Sequence, residues 1–174
     1  DQNAERLLNL TNQLLDFRKT ENKGFKLNPV ECSVGSIIRS VYKRFTTLVN
    51  QKGIELKVEI PEEELLASVD KEALTKILSN LFTNALKYAQ TYAYLSLSVD
   101  EAGKEFTIVM SNDGKIIPIV MRETIFRPFV QYRDGKDIVP GTGIGLALAR
   151  SLAELHQGTL TMDQDMECNR FILS

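Results

Sequence analysis

Apolar residues along this chain recur with two different periods. Leu7, Leu10, Leu14 and Phe17 follow one another at steps of three and four, Leu8 and Leu15 widen the stripe, and Arg6, Asn12, Gln13 and Lys19 lie elsewhere. That pattern predicts an amphipathic helix over residues 4–20. It is too short to establish a coiled coil, so the stripe can face this chain's own core or a partner helix. Asn22-Lys23-Gly24 stops it and Asn28-Pro29 does not continue it, and a separate unit follows. Ser33 caps a second helix running to about residue 50, with Val34, Ile37, Ile38, Val41, Phe45 and Leu48 at helical spacing before Lys52-Gly53. Residues 54–60 alternate strictly up to Pro61 and read as a strand with one wet face. Asp70 caps a third helix to about residue 88, its buried side formed by Leu74, Ile77, Leu78, Leu81, Phe82 and Ala85.

Residues 92–99 and 106–110 flank Asp100-Glu101-Ala102-Gly103-Lys104 and predict a hairpin with a long turn. A polar loop at 111–118, a short apolar segment around 125–130 and a polar, mobile loop at 131–142 precede a helix over 143–156. Two strands, 159–162 and 170–173, end the chain. Hairpins mixed with single helices favour an α+β fold, with helices covering one face of a mixed, mostly antiparallel sheet. A doubly wound parallel sheet would need more regular βαβ alternation.

Composition narrows the function classes. The 174 residues are 43% apolar and 25% charged, which fits one soluble domain with a short appendage. A net charge of −2 excludes a broad basic field for nucleic acid or anionic lipid. Cys32 and Cys168 are far apart and lack metal-ligand spacing, which points to a reduced, intracellular context. No apolar run approaches a membrane span, the start has no leader-like pattern, and a first residue other than Met reads as an excised fragment. A single histidine, His156, excludes any scheme that needs two from this chain.

Three places can carry chemistry. Asn80, Asn84 and Lys87 share one face of the third helix. They form either a solvated polar face or a group that coordinates a hard cation through amide oxygen and neutralises phosphate. Gly141-Thr142-Gly143-Ile144-Gly145-Leu146 opens a helix, as a flexible turn or as a backbone cradle for an anion. It lacks the Lys-Ser/Thr of a Walker loop and does not follow a strand as a dinucleotide fingerprint does. Asn112-Asp113-Gly114, ahead of Ile117-Pro118, can be an ordinary turn or can present a polar side chain to a purine edge.

Taken in order, Asn80-Leu81-Phe82-Thr83-Asn84-Ala85-Leu86-Lys87-Tyr88, Asn112-Asp113-Gly114, Ile125-Phe126-Arg127-Pro128-Phe129 and the glycine run resemble the N box, first glycine box, F box and second glycine box of the ATP-binding domain of sensor histidine kinases. The resemblance covers about residues 30–174. Leu14-Leu15-Asp16-Phe17-Arg18-Lys19 resembles the end of the second helix of the dimerisation hairpin in hybrid members. The division it implies is residues 1–24 for the truncated hairpin helix and 25–174 for the ATP-binding domain.

The resemblance implies a Bergerat-type α/β sandwich with a flexible ATP lid, the fold shared with gyrase, mismatch-repair ATPases and the ninety-kilodalton heat-shock chaperone. It implies Mg²⁺ on Asn84, Asn80 supporting the phosphate end, Lys87 on a phosphate and Tyr88 beside the adenine or ribose. Asn112, Asp113, Gly114 and Ile117 would meet the base. Phe126 and Phe129 would anchor a lid over residues 131–140 that offers Arg133 and Lys136 to the γ-phosphate. Gly141, Thr142, Gly143 and Gly145 would cradle the phosphates with Leu146 behind them, and His156 would be structural.

The implied reaction passes the γ-phosphoryl group of ATP to a histidine on the hairpin, outside this chain, and then to the receiver domain of a response regulator, on the same polypeptide in a hybrid. The implied assembly is a homodimer through the hairpin, binding no nucleic acid through this segment, and the implied location is the cytoplasmic side of an inner-membrane protein. The first glycine box departs from the pattern: Asn112 stands where an aspartate normally accepts the adenine amino proton, and Ile116 where a second glycine sits. A one-residue shift would give the aspartate role to Asp113. A degenerate nucleotide-binding or scaffold module is therefore the alternative to a kinase.

Overall fold

The computed structural model describes residues 2–22, 24–103, 105–132, 141–163 and 167–174. Its elements in chain order are α1 (Gln2–Glu21), β1 (Val30–Ser33), α2 (Val34–Lys52), β2 (Glu55–Glu59), β3 (Leu66–Val69), α3 (Lys71–Tyr88), β4 (Tyr92–Val99), β5 (Phe106–Asn112), α4 (Gly145–Leu155), β6 (Leu160–Met162) and β7 (Asn169–Leu173). Two single-turn 3-10 helices, Ile119–Met121 and Thr124–Phe126, occupy the segment before the second polar loop.

The helix ends follow their signals. The Ser33 hydroxyl accepts from the Ser36 N–H at 3.3 Å, and Gly53 closes α2 in the left-handed region at φ 64°. The Asp70 carboxylate accepts from the Ala73 N–H at 2.9 Å at the start of α3, and also from the Asn28 N–H at 2.7 Å. His156 links this cap to the far end of α4. Its Nε2 accepts from the Asp70 N–H at 3.1 Å, and its Nδ1 lies 2.8 Å from the Leu152 carbonyl. Both ring nitrogens thus have backbone partners.

Five strands form one sheet in the order β2-β4-β5-β7-β6, with β2 parallel to β4 and every other neighbour antiparallel. Alternation sends every second side chain of β4, β5 and β7 toward the helices. The register lines these residues up in rows: Leu97, Ile108 and Leu173; then Leu95, Met110 and Phe171; then Ala93, Asn112 and Asn169. All nine are buried. The last row replaces two apolar members with amides, and there the core gives way to the site. Helix α3 packs between α2 and α4 and lies against β5, and α1 packs on α4.

The β1–β3 pair is a separate two-stranded antiparallel sheet that the sequence does not announce. β3 reads Leu-Ala-Ser-Val and does not alternate, while β1, Val-Glu-Cys-Ser, alternates over only four residues, the shortest run that carries the pattern. The stripe of α1 turns out to be divided. Phe17 is buried in the core and Leu10 and Leu14 pack against it, while Leu7, Leu8 and Leu15 stay exposed. Lys76 of α3 ties α1 down through Asp16 at 2.8 Å and also meets Glu72 of its own helix at 3.0 Å.

Candidate functional site

A cavity of about 490 Å³ opens where α3, the Asn112–Asn169 end of the sheet and the loop ahead of α4 converge. From α3 come Asn80, Thr83, Asn84, Lys87 and Tyr88. Helical spacing delivers the two amides and the ammonium to one wall because the opposite side of α3 is committed to the core through Leu74, Ile77, Leu78 and Leu81. The Lys87 ammonium donates to the Tyr88 hydroxyl at 2.9 Å and lies 4.7 Å from the centre of that ring.

The opposite rim is the glycine run, with Gly141, Thr142, Gly143, Gly145 and Leu146 all lining the cavity. Gly145 is needed for contact: a Cβ there would come within 2.8 Å of Asn80 Oδ1, so its absence lets α4 begin directly against α3. Gly143 is needed for conformation, with φ at 72° and its carbonyl accepting from the Phe129 N–H at 2.9 Å. The Thr142 hydroxyl accepts from the Ile144 N–H and donates to Oε1 of Gln13, each at 3.2 Å. Gln13 also reaches Asn80 Oδ1 with its Nε2 at 3.5 Å, so α1 contributes a side chain to the cavity.

On the sheet side the two candidate base contacts separate. Asn112 is buried and lines the cavity. Asp113, next along the strand, points away and serves as a clamp on the α3–β4 connection. It accepts from the Gln90 N–H at 2.8 Å, the Thr91 N–H at 2.9 Å, the Tyr92 N–H at 3.2 Å and the Thr91 hydroxyl. Burial raises its carboxyl pKa, but these donors, the Thr91 hydroxyl foremost, outweigh burial and hold it below the usual carboxylate range. Asp70 behaves alike: burial is the largest single influence and raises its pKa, and the accepted Asn28, Ala73 and Glu72 N–H bonds bring the net shift downward.

A carboxyl with a depressed pKa stabilises the fold above its unfolded value, near 4, and that contribution is lost as pH falls through the depressed one. Thermal stability is therefore expected to fall as the pH drops below about 4. Asp113→Asn should cost about 2 kcal/mol at neutral pH and make the acid loss shallower, as read by calorimetric melts across that range. An unchanged acid slope would remove the clamp from the explanation.

Of the residues expected at the site, Asn80, Asn84, Lys87, Tyr88, Asn112, Ile117, Gly141, Thr142, Gly143, Gly145 and Leu146 line one cavity. Gly114 does not line it. Its N–H instead donates to Asn112 Oδ1 at 3.0 Å, and a Cβ there would run into the Tyr88 carbonyl. Phe126 is buried edge-on to Phe171, 6.2 Å between ring centres, and Phe129 is exposed at φ 66°; the cavity is lined at this place by Ile125 and Val130. Arg133, Lys136 and residues 133–140 of the expected lid lie outside the described residues.

Sequence reasoning missed Gln13 and Asn169. Asn169 pairs with Asn112 across β5 and β7. Its Oδ1 accepts from the Ile117 N–H at 2.9 Å, and its Nδ2 donates to the Lys115 carbonyl at 2.9 Å and the Gly114 carbonyl at 3.2 Å, which pins the loop bordering the cavity. Asn169→Ala should cost about 2 kcal/mol, since it strands two carbonyls and an N–H at a buried position. A midpoint in denaturant unchanged from the parent would show that water replaces the amide.

The cavity thus sets an asparagine-lysine helix face opposite a glycine run, with the sheet behind. A family model described as "Histidine kinase-, DNA gyrase B-, and HSP90-like ATPase" matches residues 69–173. The chain belongs to this ATPase family. The match runs from the end of β3 through the last strand and takes in every cavity wall except Gln13. Sensor histidine kinase TmoS of Ectopseudomonas mendocina is 32% identical over 92% of this chain, which covers 16% of that protein. Hybrid signal transduction histidine kinase D of Dictyostelium discoideum is 30% identical over 92% of this chain, which covers 11% of it. A solved structure of full-length ShkA in complex with AMPPNP shares the fold, with a TM-score of 0.84 and 23% identity over 99% of this chain and 36% of that one. Within its family the chain is the ATP-binding catalytic domain of a sensor histidine kinase, and it spans less than a fifth of the two curated relatives.

Proposed function

We propose that this ATPase domain binds Mg-ATP and donates the γ-phosphoryl group to a histidine on a dimerisation hairpin, in two-component signal transduction. The observation that carries the reading is the convergence of Asn80, Asn84 and Lys87 on the glycine run across one cavity. Asn84 suits Mg²⁺: its amide lines the cavity and makes no hydrogen bond to a described residue, and amide oxygen is a ligand this hard cation accepts. Among the described residues no cluster of three or more His, Cys, Asp or Glu offers a competing site. The cation would neutralise phosphate charge.

The chain's own groups supply the rest. Lys87 places positive charge at the α3 wall, and the N–H groups at the start of α4 add oriented donors where negative charge builds during transfer. Tyr88 and Ile117 border the space for the base. Both nitrogens of His156 are held by backbone partners, which favours an acceptor histidine outside this chain. The exposed Leu7, Leu8 and Leu15 on α1 support residues 1–24 as the hairpin's second helix, joining a second copy of the protein, with residues 25–174 as the ATP-binding domain.

A response-regulator receiver domain would take the phosphoryl group next, and the hybrid relative supports placing it on the same polypeptide. Among the described residues no helix is long and apolar enough to cross a membrane. Any inner-membrane anchor of the parent would therefore lie elsewhere, with this domain on the cytoplasmic side.

Labelled ATP given to the full-length kinase tests the reading. The expected result is an acid-labile, base-stable phosphate on a hairpin histidine. Tight ATP binding with no such label would leave the alternative, a nucleotide-binding scaffold without phosphotransfer.

A further inference from the structure

The Asn112 side chain points to which purine the cavity selects. Asn112 is 2% exposed and lines the cavity at the last inward row of the sheet. Its amide has one possible orientation, because the Gly114 N–H is directed at Oδ1 at 3.0 Å; the reverse orientation would set Nδ2 against that N–H, donor against donor. Asn169 reinforces the choice, its Nδ2 lying 3.5 Å from the same oxygen. Asn169 is itself held in place, its Nδ2 hydrogens donated to the Lys115 and Gly114 carbonyls and its Oδ1 accepting from the Ile117 N–H.

What remains is Nδ2 of Asn112. It donates to no described residue, yet no fully buried side-chain nitrogen or oxygen among them lacks a partner, so this N–H₂ group opens onto the cavity. Ile117, Ile125, Leu146 and Phe171 make much of the surrounding wall apolar. The neighbouring carboxylate, Asp113, is turned away and occupied. A base entering here therefore meets a hydrogen-bond donor from the sheet. An amino group at C6 of a purine is itself a donor, whereas an oxo group there is an acceptor.

We propose that this cavity takes a 6-oxo purine nucleotide at least as well as its 6-amino counterpart, with Asn112 Nδ2 donating to the C6 oxygen and Asn169 acting as a positioning residue. This rests on the nucleotide-binding reading above. ITP and ATP are the clean probes, because both lack a 2-amino group and they differ only in the chemistry at C6 and N1.

Isothermal titration of the protein with each nucleotide in Mg²⁺ should give an ITP affinity equal to or above that for ATP, within about threefold. In Asn112→Asp one carboxylate oxygen still accepts the Gly114 N–H while the other turns an acceptor to the cavity. The ratio of affinities should then swing toward ATP by about tenfold or more. A preference of the parent protein for ATP beyond about threefold overturns the inference and leaves nucleotide binding standing, as does a folded Asn112→Asp whose ratio shifts less than about tenfold. If Asn112→Asp does not fold, the parent ratio alone decides. Failure to bind either nucleotide overturns the nucleotide-binding reading and this inference together.

Discussion

Replacing Asn84 with alanine is expected to weaken Mg-ATP binding by about a hundredfold while leaving the fold as stable as before or slightly more so. The two effects separate because of what Asn84 does and does not touch. It sits on α3 between Asn80 and Lys87, half-buried against the cavity, and its amide makes no hydrogen bond to a described residue. Nothing structural is lost with it, and alanine is the better helix former. Loss of a charge-assisted contact to a cation that bridges the phosphates costs roughly 2 to 3 kcal/mol. Chelating the metal with EDTA should bring parent and variant to the same weak ATP affinity. Asn80, by contrast, donates to the Lys76 carbonyl and accepts from Gln13, so Asn80→Ala should show both a binding loss and a change in thermal midpoint. Undiminished Mg-ATP binding by Asn84→Ala would remove this residue from the metal site.

The largest stability effect is expected at Gly143. Its φ of 72° is costly for any residue with a Cβ, and an added Cβ would come within 2.8 Å of the Phe129 carbonyl carbon, 2.9 Å of its Cα and 3.0 Å of the Val130 oxygen. These are backbone atoms of a segment already strained, with Phe129 at φ 66°, so neither side can yield cheaply. Gly143→Ala should cost about 3 kcal/mol and lower the thermal midpoint by about 8 °C. Gly141→Ala is the contrast: an added Cβ would meet the Nζ end of Lys87, a flexible side chain that can move aside at little cost to the fold. Equal melting of the two variants would show that the loop ahead of α4 repacks freely and that its glycine is not conformationally required.

Much of this molecule can be read from its residues in order, and the failures are informative. The helices are legible because their apolar stripes recur over three or more turns and end in caps whose chemistry is local: Ser33, Asp70 and Gly53 act within a few residues of themselves. The strand ends are less legible. Reading β5 as ending at Met110 and β7 as starting at Arg170 removes Ser111 and Asn112 from the first strand and Asn169 from the second. Yet the alternation that makes Ile108 and Met110 inward also makes Asn112 inward, and Phe171 and Leu173 do the same for Asn169. Carried one step further, the period-two pattern favours Asn112 over Asp113 as the residue facing the cavity without any coordinates. The hydrophobic signal stopped where the core stopped, and the strands did not.

By itself the sequence determined the periodic elements, the α+β class, the helix face bearing Asn80, Asn84 and Lys87, and the glycine run before α4, because each depends on contacts within a few residues along the chain. The tertiary structure alone decided the rest. Strand register placed Asn169 beside Asn112, the docking of α1 brought Gln13 to Asn80 and Thr142, and the Gly114 N–H fixed which end of the Asn112 amide the cavity receives. The first two of these join residues more than fifty positions apart, a separation over which periodicity carries no information, and the third depends on the distance and direction of one hydrogen bond, which no spacing in the sequence encodes.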